Sequence, residues 1–585
     1  MVSKGQAVVE ERPIDAKRPL RVICVGAGIS GIITAIRFPQ RIPNLDLQIY
    51  EKNTDITGTW FENKYPGCAC DIPAHTYQLT FEPNLEWPQF YAKGEDIYKY
   101  WKKVADKYNC NKYIKLQHQV VEARWLSEVS KWQVMVKNIA SGTVFEDYCD
   151  VFLSASGVLN DWKWPSIPGL QKFKGKLLHS ASWDQSYDYS GKRVAVVGSG
   201  SSAIQIVPSM QPIVEHMDHY VRGKAWISTT FAAEKVNERG AGLDNFSFTE
   251  EDIESFTQSP STYQKFRKDI ELELQSGHAV TLRDSSAQVQ ALADFTEKMR
   301  ARLSKKPTVI DQIMPNFPPV CRRLTPGPGY LEALVQPNVD VISAPIQEVT
   351  ETGIVTSDGS VREVDSIVCA TGFDTSFSPR YPIYGVNGVK LSDKWSVVPE
   401  TYLSVAAAGF PNYFMYLGPN SALGTGNLLV LIERMADYFT DVVAKMQRDD
   451  ISAITVKEES VRNFVQHCDK YFERTVFTMN CRSWYKGGTE DGRVSALWPG
   501  SSLHAMETLA HPRWEDYEYI HRNGNPFGWF GNGWTENEIN QNINVDYLNE
   551  ENIDYPLVRK AIINGDQNVN GHALESDALW LNGKL

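Results

Sequence analysis

The stretch RVICVGAGISGIITAIR, residues 21–37, decides the fold. β-Branched residues lead into Gly26, Gly28 and Gly31 at GxGxxG spacing, and an apolar helical segment follows without a break. Glu51 stands twenty residues after Gly31, closing a second strand-like segment, LDLQIYEKN. The four parts belong together, because the glycines admit a pyrophosphate to the backbone at a helix N-terminus and the distal carboxylate takes ribose hydroxyls. Together they predict a dinucleotide site.

The pattern recurs at residues 191–208, GKRVAVVGSGSSAIQIVP, with Gly198, Gly200 and Ala203 in the glycine positions and Ser201 and Ser202 at the head of the helix. Here the distal residue is Arg222, 22 residues after Gly200. A guanidinium holds a 2′-phosphate bidentately, which predicts NADP rather than NAD. An acid-ended and an arginine-ended unit in one chain imply FAD in the first and NADPH in the second. VFLSASGVLN (151–160) and SIVCATGFD (366–374) read as the places where the chain crosses between the two.

The predicted fold class is therefore α/β, with two Rossmann-like dinucleotide-binding domains and a helical insertion in the NADPH domain. Tyr263, Phe266, Ile270 and Leu274, then Leu292, Phe295, Met299 and Leu303, recur as amphipathic helical stripes within that insertion. The boundaries expected are a flexible arm at 1–18, the FAD domain at 19–160 and 376–535, and the NADPH domain at 161–228 and 319–375. The insertion takes 229–318, and a C-terminal tail takes 536–585.

Composition limits what else the chain can be. At 585 residues, with 42% hydrophobic and 22% charged, it has ample core for two or three domains. Lys plus Arg number 59 against 71 Asp plus Glu, and the net charge of -12 argues against nucleic-acid or anionic-membrane partners. Nine widely spaced cysteines show neither a CxxC pair nor Cys/His metal spacing, so reduced thiols and no metal are expected, in a cytoplasmic protein. Cys68 and Cys70, the one close pair, read as small packed residues. There is neither an apolar signal core nor a run long enough to span a membrane, and the final GKL reads as an ordinary tail.

Two longer motifs carry a resemblance. Phe173, Gly175, His179 and Trp183 match Phe-x-Gly-x3-His-x3-Trp, with Asp184 next, and TGTWFENKYPGCACD (57–71) supplies Gly58, Trp60, Tyr65, Pro66, Gly67 and Asp71 of a second signature, from which Thr57 departs. In both, over residues 18 to 530, the chain resembles the type I Baeyer-Villiger monooxygenases, and most of all their fungal members. The resemblance implies that NADPH reduces FAD and that the reduced flavin takes up O2 at C4a. The resulting peroxide attacks a ketone, giving an ester or lactone.

It also implies site residues. Arg323, seven before Tyr330, is the active-site cation and Asp71 its carboxylate partner at the flavin. Arg322 touches the NADP phosphate, and the two arginines exchange roles if the Pro-Gly loop shifts the register. Thr59, Trp60, Tyr77 and Leu428 border the flavin. Trp484 lies on a mobile loop closing over NADP and substrate, and NADP+ stays bound to prevent futile release of hydrogen peroxide. The linker at 169–184, pinned by ring packing and one imidazole hydrogen bond, couples motion of the NADPH domain to the flavin. The large insertion suggests bulky cyclic or polyketide-type ketones. Rival readings are an N- or S-oxidising flavin monooxygenase, a disulfide reductase, and a nucleotide-binding regulator without turnover. Oligomeric state does not follow from the sequence.

Overall fold

The strand Leu20–Val25 is buried on both faces, as the centre of a parallel sheet requires. It pairs with Leu45–Tyr50 on one side and Val151–Ser154 on the other, and Ile114–Lys115 and Tyr413–Met415 complete five parallel strands. The register Val25 to Tyr50 sets the glycine turn directly beside Glu51. A second five-stranded parallel sheet has Arg193–Val197 at its centre, His216–Tyr220 and Val339–Ile342 on one side, and Ser366–Cys369 and Lys176–His179 on the other. The two sheets share one spatial order. In the second, the outer place beyond the crossing strand is filled by Lys176–His179, so a stretch without evident period in sequence is a strand in the fold.

The computed structural model describes residues 9–228, 230–240 and 244–554. Lys17–Gly524 forms one compact unit. The described residues 9–16 and 525–554 belong to a second. In that small unit the arm is tied by backbone bonds: Ile14 N–H donates to Trp534 O at 2.9 Å, and Asn532 N–H to Arg12 O at 2.9 Å. The remaining tail, 555–585 with its GKL end, lies outside the described residues, as do 1–8, 229 and 241–243. No described helix is long and apolar enough to cross a membrane.

Two antiparallel meanders, His118–Leu126 with Lys131–Asn138 and Val144–Cys149, and Ile346–Val349 with Gly353–Thr356 and Val361–Glu363, accompany the parallel sheets. Lys131–Asn138 alternates buried and half-buried residues, a period-two signal present in the sequence.

The insertion contains Glu250–Gln258, Pro260–Ser276, Ser286–Arg302 and Thr308–Ile313. Ile270 and Leu274 pack into the core around the first sheet, whereas Phe295, Met299 and Leu303 pack into that of the second. Leu292 corrects the predicted stripe: it is 41% exposed. Near the start of that helix the buried side chain is Gln288, whose amide donates to Pro319 O at 2.9 Å. His75 lies at 0% exposure among Phe248, Phe256, Tyr263 and Phe266. The helix Leu428–Arg448, capped by Asn427, packs against Ile29–Arg41.

The expectation of reduced thiols throughout is corrected by a disulfide between Cys321 and Cys481, whose Cα atoms are 6.4 Å apart across 160 residues of sequence. No spacing rule relates partners so distant; only the fold brings them together. Cys68 and Cys70 are free.

Candidate active site

Gly26 has φ +105° and a Cβ there would collide with Ala155 O, so the turn after the first strand accepts only glycine. A Cβ on Gly31 would strike Gly26 O. Gly31→Ala is expected to cost about 2 kcal/mol or more, measured as the shift of the urea unfolding midpoint. Gly28 caps the helix Ile29–Arg41, and its backbone approaches that of Gly58 so closely that a Cβ on Gly58 would sit 3.1 Å from Gly28 Cα. Glu51, 4% exposed, accepts from Ala27 N–H and Asn53 N–H at 2.8 Å each, and burial raises its pKa.

The second turn repeats this plan. Gly198 has φ +127° against Ala370 O, Gly200 caps the helix Ser201–Met210, and Ala203 is fully buried. Ser201 Oγ lies 2.9 Å from Thr325 Oγ1, and Ser202 meets Tyr65. Arg222 is exposed just past the strand end. Arg322 lies over the Phe317 ring and donates from Nη1 to Lys224 O at 2.8 Å; its Nε is buried without a partner. Burial, then the like charges of Arg482 and Arg222, lower its pKa. Three guanidiniums thus converge, an arrangement suited to a polyanion.

A cavity of about 500 Å³ is lined by Gly26, Gly28, Glu51, Thr59, Trp60, Asp71, Tyr77, Ser201, Ser202, Arg323, Leu428 and Trp484. Trp60 Nε1–H donates to Tyr77 OH at 3.2 Å, with the rings edge to face. Of the two adjacent arginines, Arg323 meets Asp71, donating from Nε at 2.7 Å and from Nη2 at 2.8 Å. The charge of Asp71 raises its pKa, so the guanidinium is a permanent cation, yet its side chain is 46% exposed to the cavity. Tyr485, 1% exposed, brings its hydroxyl to Arg323, and burial pushes its pKa up to about 12. A further cleft of about 900 Å³ shares Trp60, Cys70 and Asp71 and continues past Tyr91, Asn245 and Pro326. Tyr330 is buried in the second sheet's core, its hydroxyl 2.9 Å from His219 Nε2.

The 169–184 linker closes around His179. Its ring stacks on Trp162 at 4.2 Å, Nδ1 accepts from Ala181 N–H at 3.1 Å, and Nε2 lies 3.3 Å from Thr371 Oγ1. One imidazole therefore joins the outer strand to Trp162, just past the first crossing, and to Thr371, within the second. Gly175 leaves room for the Phe173 ring, which a Cβ would overlap at 2.7 Å from Cε1, and Trp183 meets Tyr189 edge-on. Burial lowers His179 and His219 from 6.5 to about 4 and His75 to about 3. Below pH 6.5 the unfolded chain binds protons that these native rings refuse, so stability is full above that pH and falls toward pH 4. Urea midpoints measured across this window are expected to decline, and less steeply in His179→Gln.

Residues that the sequence reading passed over also belong here. Tyr485 and Arg482 flank the loop position already singled out at Trp484, but nothing in their spacing distinguishes them. Thr57 holds φ +82° at 0% exposure with Oγ1 unpartnered, and its departure from the 57–71 signature was the available signal.

Residues 19–235 match the family model described as flavin-binding monooxygenase-like. The chain is 40% identical over 521 residues to the FAD-binding monooxygenase tazF of Aspergillus terreus, covering 88% of this chain and 92% of that protein. Identity is 32% over 504 residues to a Baeyer-Villiger monooxygenase of Streptomyces coelicolor, with 86% and 93% covered. The crystal structure of cyclohexanone monooxygenase from Rhodococcus sp. Phi1 bound to NADP+ is similar at TM-score 0.74 and 26% identity, over 86% of this chain and 100% of that one.

Proposed function

The chain belongs to the FAD-binding monooxygenases of the Baeyer-Villiger type, and from that premise we propose that it inserts one atom of O2 beside a ketone carbonyl, yielding an ester or lactone. FAD and NADPH are its cofactors. Bound FAD supplies acceptance of hydride from NADPH and the activation of O2.

The residues of the first cradle fit FAD by their own chemistry. Gly26 and Gly28 bare the backbone for a pyrophosphate, Glu51 offers acceptors to ribose hydroxyls, and Thr57 Oγ1 is a buried hydroxyl without a partner on the cavity wall. Thr59, Trp60, Tyr77 and Leu428 line the same cavity. The second cradle fits NADPH: Gly198, Gly200, Ser201, Ser202 and Ala203 form the turn and helix start, and Arg222 and Arg322, adjacent cations, are the partners proposed for the 2′-phosphate. The joint at Phe173, Gly175, His179 and Trp183 is read as the hinge between the two.

The observation that carries the ketone reading is Arg323, held by two hydrogen bonds at Asp71 on the cavity wall. A cation so fixed favours an unprotonated, nucleophilic oxygen over its acid, and stabilises negative charge developing on the substrate's carbonyl oxygen. Asp71 orients the guanidinium plane, and Trp484 covers the site against water. Bulky cyclic or polyketide-type ketones are the proposed substrates, because a second cleft of about 900 Å³ adjoins the cavity, sharing its wall at Trp60, Cys70 and Asp71.

Supplying NADPH and O2 with ketones and thioethers in parallel tests the reading. Ester or lactone is the expected product; sulfoxide with no ester from any ketone would assign the chain to N- or S-oxidation. A polycyclic ketone is expected to exceed cyclohexanone in kcat/KM by about tenfold or more. Strict preference for small ketones would refute the substrate class.

A further inference from the structure

We infer that the Cys321–Cys481 disulfide is a redox-responsive clasp holding the Trp484 loop against the arginine segment, and that opening it weakens retention of NADP+. The inference rests on the reading of Arg222 and Arg322 as the phosphate site, and otherwise on position. Cys321 immediately precedes Arg322 and Arg323, and Cys481 immediately precedes Arg482, three residues before Trp484. One covalent bond therefore ties the segment bearing both arginines to the loop bearing Arg482, Trp484 and Tyr485.

Besides the disulfide, Tyr485 joins the loop to the arginine segment through its hydroxyl at Arg323 and its burial beside Val320, and the rest of the loop is held by its own bonds. Arg482 Nε–H donates to Gly488 O at 2.6 Å, Ser483 bridges to Thr489, and the buried Lys486 ammonium donates to Met479 O at 2.8 Å and to Glu490 O. Gly487 and Gly488 both take positive φ. Across the boundary, Arg482 also sets its like charge against Arg322, which stands against Arg222 on its own side. That repulsion drives the loop outward until a phosphate neutralises it. The disulfide opposes it in advance, leaving the three guanidiniums assembled before NADPH arrives; preorganisation of this kind reduces the ordering cost of binding.

Opening and closing balance as ordinary thiol chemistry. A dithiol reductant exchanges with the bond, giving two thiols on this chain and the reductant's own disulfide. Hydrogen peroxide, the product of NADPH oxidation without oxygen insertion, reverses this. One thiolate attacks a peroxide oxygen to give a sulfenic acid and hydroxide, and the other thiol displaces the sulfenic oxygen as water, so two thiols and one H2O2 become one disulfide and two H2O. A reduced enzyme that loses NADP+ leaks peroxide and thereby recloses its own clasp. Cys321 is 0% and Cys481 2% exposed, so exchange requires the loop to open, and bound NADP+ protects the bond. Linkage requires that protection to match the gain in affinity.

The test uses the full-length enzyme with FAD bound, desalted after treatment with dithiothreitol or left oxidised. Alkylation with mass mapping is expected to find Cys321 and Cys481 blocked only after reduction, and NADP+ to slow that reduction. Reduction is expected to weaken NADP+ binding about tenfold and to raise H2O2 released per NADPH several-fold, with peroxide restoring both. The double variant Cys321→Ser/Cys481→Ser should behave like reduced wild type and ignore dithiothreitol. Alkylation of both thiols without reductant, an NADP+ affinity unmoved by reduction, or a double variant matching oxidised wild type overturns the inference. If the variants do not fold, the reduction and reoxidation cycle of wild type decides alone. None of these readouts needs a ketone, so failure of the proposed oxygen insertion remains separately visible.

Discussion

Arg323→Ala is expected to lower ester formation by about 10³-fold or more in kcat while NADPH still reduces the flavin. The two steps separate because the guanidinium sits at Asp71 on the cavity wall, whereas the residues proposed for the adenine sides of the two cofactors are others, Glu51 and Arg222 with Arg322. Removing the cation takes away the charge proposed to keep the attacking oxygen unprotonated and to meet the developing oxyanion. NADPH consumption then ends in H2O2 rather than ester. Arg323→Lys restores charge without the two parallel hydrogen bonds to Asp71, and a recovery of less than about tenfold is expected. Product chromatography and a peroxide assay on the same reaction check both statements. Ester production by Arg323→Ala at an undiminished rate would remove this residue from the chemistry.

The second large effect concerns coenzyme choice. Arg222→Ala and Arg322→Ala are each expected to lower kcat/KM for NADPH by about 10- to 100-fold, the range of a lost charge-assisted hydrogen bond, with NADH changed much less. Arg322 should show the larger loss, since its buried Nε has no protein partner whereas Arg222 is exposed. Steady-state kinetics with both coenzymes decide it. Equal losses with NADPH and NADH would mean that the arginines support the fold rather than the phosphate.

Much of this site was legible because its logic is local. Gly26 and Gly31 occupy points of the turn where a side chain would strike backbone, and the strand register then carries Glu51 to that turn. Leu292 shows the opposite case: its spacing fits a helical stripe, but the stripe is buried only where another element covers it, and the first turns of that helix are covered at Gln288 instead. The first meander is poorly legible although Lys131–Asn138 alternates, because a register shift at Val120/Glu122 breaks the period of one neighbour and the other, Val144–Cys149, is mostly exposed.

By itself, then, the chain's sequence determined two glycine turns, the helices behind them and the residue types at their ends, since backbone sterics act over a few neighbouring residues. Tertiary structure settled the choice left open between Arg323 and Arg322, since it is Arg323 that meets Asp71, 252 residues away, and it alone decided that Tyr485 joins them and that Cys321 finds Cys481. Such pairings depend on where separate segments cross in space, and side-chain reach over a few ångströms has no counterpart in sequence spacing.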